Sequence, residues 1–169
     1  NVPLDKTACA KLLETDLIEV RPAAHAGEHS LQNELPFLQR TLGNFKLVPI
    51  VLGGTQTDAS LTKLADAVKS VLTPDTFVVV SSDFTHYGRN FGYVPFTRDV
   101  EANLRKIDGG AIDRIVAVDA DGFADYVGRT RATICGRYPI LVMLKVFAGR
   151  KDIRGTLLKY ETSGAKTGD

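Results

Sequence analysis

The sequence predicts an α/β protein, a layered α/β/α arrangement around a mostly parallel or mixed central sheet, on three observations. "KLVPIVLGG" (46–54) and "TFVVVSSD" (76–83) are short runs of branched apolar residues bounded by turn residues, the pattern of strands covered on both faces. Between them, "TDASLTKLADAVKSVL" (57–72) repeats Leu61, Leu64, Val68 and Leu72 at helical spacing. Strand, helix and strand within about 35 residues make a βαβ unit, which implies parallel pairing and a right-handed crossover.

Taken in order, "DKTACAKLLET" reads as a helix capped by Asp5, with Ala8, Leu12 and Leu13 on one side. "LIEV" (17–20) is compatible with a short strand. From Ser30, Leu31, Leu35, Leu38 and Leu42 recur at helical spacing, Gly43 supplies a stop, and Pro36 kinks the pattern. After the βαβ unit, helices are expected near 98–115, 119–128 and 137–148, and "GTLLKYE" (155–161) as a late strand. The expectation is one α/β domain over 1–169. Twenty-one basic and 20 acidic side chains leave a net charge of +1, so neither nucleic acid nor an anionic membrane is an expected partner. No apolar run approaches the roughly 20 residues of a membrane helix, and the chain reads as cytoplasmic. Two widely spaced cysteines, Cys9 and Cys135, argue against a disulfide framework or a four-ligand zinc site.

Chemistry-bearing residues fall in three places. "HAGEHS" places His25, Glu28 and His29 in the H-x-x-E-H spacing of inverted zinc peptidases, which would make a zinc-dependent hydrolase. That chemistry needs one helix under all three residues, and Gly27 and Pro22 oppose it. A single ligand from His29, beside a helix start, is easier to build. Beyond the valine run, Ser81, Ser82, Asp83 and His86 stand at the carboxyl end of a predicted strand, where open α/β sheets place ligands. Serine, aspartate and histidine there invite a hydrolase reading, but no G-x-S-x-G elbow accompanies them, and capping of a turn explains them as well. Cys135, in "ATICGRYPILVML", precedes a helix start and neighbours Arg137, both of which favour a thiolate, while a packed core thiol is the plain alternative. Gly53 and Gly54 lack the full glycine fingerprint of a phosphate cradle, so no nucleotide cofactor is expected.

"EHSLQNELPFLQ" from Glu28, "VVVSSDFTHYG" from Val78 and "TICGRYPI" from Thr133, with "VPLD" near the start and "LLKYETSGAKTGD" at the end, together resemble the Memo family, called AmmeMemoRadiSam system protein B in bacteria and archaea. The resemblance implies a fold like that of the LigB-type extradiol dioxygenases, which are non-haem iron enzymes. It implies metal ligation by His29, Cys135 and His86, with His86 and Asp83 as catalytic acid or base, and Arg137 and Tyr87 facing substrate. A thiolate where the dioxygenases use a carboxylate shifts preference toward copper or a redox role. The resemblance also implies an earlier segment carrying a further histidine and a strand after "TGD". The expectation is therefore of a domain incomplete at both ends, completed by a missing segment, a second chain or self-association. Two functions are expected from it: a metal-dependent oxidoreductase using copper or iron, or a module binding a small molecule or peptide without turnover on a vestigial dioxygenase scaffold, with Phe84, Tyr87, Phe91, Tyr93 and Tyr138 lining its cleft.

Overall fold

Apolar spacing, with side-chain caps at some of them, sets the longer helices close to where the sequence places them, whereas a short helix at Pro22–Ala26 is not among those expected. In the computed structural model, which describes residues 2–164, α1 (Lys6–Leu12) begins where Asp5 accepts a hydrogen bond from the Ala8 amide at 3.0 Å. It buries Leu12, whereas Leu13 is exposed. A short α2 (Pro22–Ala26) ends at Gly27, and α3 (Ser30–Leu42) follows as one continuous helix through Pro36. No residue of α3 is fully buried; Leu31, Leu35 and Leu38 are half-covered and Leu42 is exposed. Thr57 and Ser60 form a reciprocal capping box at the start of α4 (Asp58–Val71). This helix buries Leu61, Leu64 and Ala65 and packs on α1.

The second half is built from α5 (Val100–Val116), α6 (Ala120–Thr130) and α7 (Arg137–Phe147), close to the three predicted helices. Asp119 caps α6 by accepting from the Gly122 amide at 2.9 Å. Pro139 falls in the first turn of α7, where a missing N–H removes no helical bond. The core gathers Ala111 and Ile112 from α5, Phe123 and Val127 from α6, and Ile140, Leu141, Val142, Leu144 and Val146 from α7. Helix α5 carries adjacent glycines, each costing about 1 kcal/mol in a helix interior. Gly110 has a packing reason: a Cβ there would lie 2.3 Å from the Tyr126 hydroxyl, which donates to the Ile107 carbonyl at 3.0 Å.

The expected layered α/β sheet is not present: the described chain is 51% helix and 2% strand, with no sheet. Its strand pairing is confined to two isolated bridges, a parallel one between Leu4 and Leu47 and an antiparallel one between Gly88 and Tyr93. Segments 17–20, 46–54, 76–83 and 155–161 form no ladder among the described residues. The physical reason is that branched apolar runs express a backbone preference, while a sheet needs a neighbouring segment about 4.8 Å away to take up alternate N–H and C=O groups. Phe77 is 70% and Leu158 92% exposed, so these runs do not find the two-sided cover their composition anticipates. The chain resolves into two compact units, Asn1–Ser81 and Ser82–Asp169. Among the described residues no helix is long and apolar enough to cross a membrane. The last five residues of "LLKYETSGAKTGD" lie outside the described part.

Candidate metal centre

The second unit brings Asp83, His86 and Cys135 together. One donor atom from each, a carboxylate oxygen, an imidazole nitrogen and the sulfur, lies within 4.8 Å of the other two. Asp83 and His86 come from the loop between the valine run and the helical turn at Arg89–Phe91; Cys135 comes from the link between α6 and α7.

Hydrogen bonds join the two segments to each other and tie the first of them to α5. The Asp83 amide donates to Cys135 Sγ at 3.2 Å, and the Gly136 amide donates to Ser82 Oγ at 2.9 Å. The Thr133 hydroxyl donates to the His86 carbonyl at 2.6 Å. From the other side, the Thr85 amide donates to Asp108 Oδ1 at 3.1 Å. The Cys135 sulfur in turn lies 3.7 Å from the Asp83 carbonyl oxygen, to which it donates.

Within this frame His86 is half-buried, its ring tilted against Phe91 with centroids 5.0 Å apart. Its Nε2 is buried without a hydrogen-bond partner. Asp83 Oδ2 is 3.9 Å from that nitrogen, beyond hydrogen-bonding reach, and the Asp83 side chain is 83% exposed. Cys135 is exposed and not in a disulfide. The site therefore sets an exposed sulfur and an exposed carboxylate beside a buried imidazole nitrogen.

Arg137 opens α7, with its guanidinium 4.6 Å above the Tyr138 ring and bonded to the Tyr138 hydroxyl at 2.9 Å. Tyr87 is committed to packing: its ring stacks on Phe96 at 5.3 Å, and its hydroxyl donates to the Phe96 carbonyl at 2.6 Å. Between α6 and α7 lies a cavity of about 450 Å³, whose lining includes Phe123, Val127, Arg131, Arg137, Tyr138 and Leu141.

A family model described as "Memo-like protein" matches residues 1–169. The chain belongs to the Memo family. This Memo-family chain is 33% identical over 157 residues to a MEMO1 family protein of Methanosarcina acetivorans, covering 90% of this chain and 54% of the relative. It is 33% identical over 174 residues to a MEMO1 family protein of Saccharolobus solfataricus, covering 99% and 57%. A protein memo-1 homolog of Caenorhabditis elegans is 31% identical over 124 residues, 70% of this chain and 35% of that one. The chain thus spans about half the length of the curated archaeal relatives it matches.

The other anticipated residues of this Memo-family chain lie in the first unit. His25 lies in the last turn of α2, and His29, exposed, stands at the start of α3. Glu28 turns to the Ser30 amide at 2.8 Å and caps α3; that amide holds its carboxyl below the usual range. The break at Gly27 divides the H-x-x-E-H spacing between two helices, so it lacks the single helical face an inverted zinc peptidase requires. The metal-capable trio is drawn from the second unit alone, and it includes Asp83 as a donor where the sequence suggested an orienting or proton-transferring group. Ser82 and Thr133 were not foreseen as the braces of the site. The adjacency of Thr133 to Cys135 in "TICG" was the available signal.

Proposed function

We propose that this chain holds a copper or non-haem iron ion through Asp83, His86 and Cys135 and serves as a redox or dioxygenase-like protein acting on a small molecule or peptide. The observation that carries the reading is the convergence of the three donors within 4.8 Å around a buried, unpartnered His86 Nε2. Leaving such a nitrogen without a partner costs about 1–3 kcal/mol, and a cation accepting its lone pair would remove that cost. The donor set fits: imidazole suits copper and iron, and a thiolate turns preference toward the softer ion.

When bound, such an ion would supply one-electron chemistry and a Lewis-acid centre. The chain's own residues do the rest. The Asp83 amide holds the Cys135 sulfur in place beside the other two donors. His86 gives its Nε2 lone pair to the ion, and the exposed Asp83 carboxylate, 3.9 Å away, keeps a second oxygen able to take and return a proton. Arg137, exposed at the start of α7, offers a cation to an anionic substrate group.

Copper(II) and iron(II) titration of the purified full-length protein tests the reading. Cys135→Ser is expected to weaken copper binding at least about tenfold and to abolish the sulfur-to-copper absorption band. Unchanged affinity and spectrum would overturn it. The second reading, a binding module without turnover, is favoured by the cavity between α6 and α7 with its apolar wall and arginine rim. Metal analysis of freshly purified protein separates the two, since stoichiometric metal supports the first and a metal-free protein retaining an organic ligand supports the second.

A further inference from the structure

We propose that Asp108 is a positioning residue for the Asp83, His86 and Cys135 cluster, holding His86 from behind through the Thr85 amide; the proposal rests on the metal-site reading above. Asp108 is 4% exposed, the one buried charged side chain among the described residues. It lies on α5 one turn before Ala111 and Ile112, both in the core, at a position that helical spacing assigns to an apolar residue.

A carboxylate in that position needs each oxygen satisfied, and both are. Oδ1 accepts from the Thr85 amide at 3.1 Å, and Oδ2 accepts from the Tyr160 hydroxyl at 2.7 Å. Tyr160 is in turn covered by the Arg105 guanidinium, 4.8 Å from its ring centroid. The bond to Thr85 matters because His86 is the next residue in the chain. Thr85 and His86 are pinned at both ends, the leading N–H by Asp108 and the trailing carbonyl by Thr133 at 2.6 Å. Thr133 stands two residues before Cys135, so the imidazole and the sulfur are set in one frame, to which Asp108 adds the bond on the Thr85 amide.

A simple core role would be served better by leucine, which avoids desolvating a charge. What leucine could not do is receive the Thr85 amide, whose direction sets where the next side chain points. Groups one bond removed from metal ligands commonly change metal affinity by about 10- to 100-fold when removed.

The test uses the full-length protein and four forms: unmodified, Asp108→Ala, Asp108→Asn and Tyr160→Phe, each checked for folding by circular dichroism and used well below its melting temperature. Two readouts are taken. One is copper(II) affinity with the sulfur-to-copper absorption band, and the other is the rate of Cys135 alkylation by iodoacetamide without metal. Asp108→Ala is expected to weaken copper binding about tenfold, displace the band and change the alkylation rate at least about threefold. Asp108→Asn keeps an oxygen for the Thr85 amide and should restore all three to within about twofold. Tyr160→Phe frees Oδ2 and should fall between them, which keeps the proposal testable if Asp108→Ala does not fold. Normal affinity, band and alkylation rate in Tyr160→Phe and in folded Asp108→Ala would overturn the proposal. If the unmodified protein binds no copper while Asp108→Ala and Tyr160→Phe still alter alkylation, the metal-site reading falls and the positioning role stands.

Discussion

Tyr160 shows how a single side chain can be read through pH. Burial first, then its bond to Asp108, pushes its phenol above the ordinary value of 10.0. Tyr93 and Tyr126 are also raised, burial again being the largest cause. A folded-state value above the unfolded one means that the unfolded chain surrenders its proton first as pH rises. The stability these groups contribute is therefore complete below pH 10.0 and is lost progressively above it. Thermal unfolding followed from about pH 8 upward is expected to give a flat melting temperature that falls beyond about pH 10, with a shallower fall in Tyr160→Phe. At neutral pH the same substitution should cost about 1.5–3 kcal/mol, the worth of a hydrogen bond to a carboxylate. At this scale the site was partly legible. Asp83, His86 and Cys135 declare themselves because polar and thiol groups interrupt apolar surroundings. Asp108 does not, since a lone aspartate in a helical repeat looks like a solvated one until the core is seen to close around it. Tyr87, an aromatic beside a motif, stacks on Phe96 and bonds to its carbonyl, a contact that sequence proximity does not announce.

Among elements, helices were legible and strands were not, and the difference is physical. A helix satisfies its own backbone, so a cap such as Asp5 and the spacing of Leu61 and Leu64 suffice to announce it. "TFVVV" announces only a preference, because its hydrogen-bond partners must come from elsewhere. The contact between α5 and α6 yields a prediction at this scale. Gly110→Ala gains about 1 kcal/mol of helix propensity. It also forces the Tyr126 ring off its seat and breaks the bond to Ile107, a packing and hydrogen-bond loss of about 2–3 kcal/mol. Chemical denaturation is expected to show a net loss of about 1–2 kcal/mol; a more stable variant would mean that the ring relocates freely.

At the scale of the whole molecule, the notable feature is how much large apolar surface remains uncovered. Val20, Phe37, Phe77 and Leu158 are all at least 70% exposed, and Phe77 and Leu158 lie in segments that carry no strand pairing. Unpaired apolar segments seek partners. The 169-residue polypeptide is expected to self-associate at tens of micromolar, and Phe77→Lys with Leu158→Lys to shift sedimentation toward the monomer while changing stability by less than about 0.5 kcal/mol each. A monodisperse monomer without these substitutions would show that the exposed runs are benign. The braces of the donor cluster have a temporal consequence as well. Asp83 and Cys135 are 52 residues apart in the chain, with α5 and α6 wound between them. Closing a loop of that length carries an entropic penalty on the order of 3–4 kcal/mol, which has to be met before any bond across it is rewarded. The pocket of donors is therefore expected to form late in folding, so that an ion stabilises an assembled structure instead of nucleating it and slows unfolding far more than it hastens refolding.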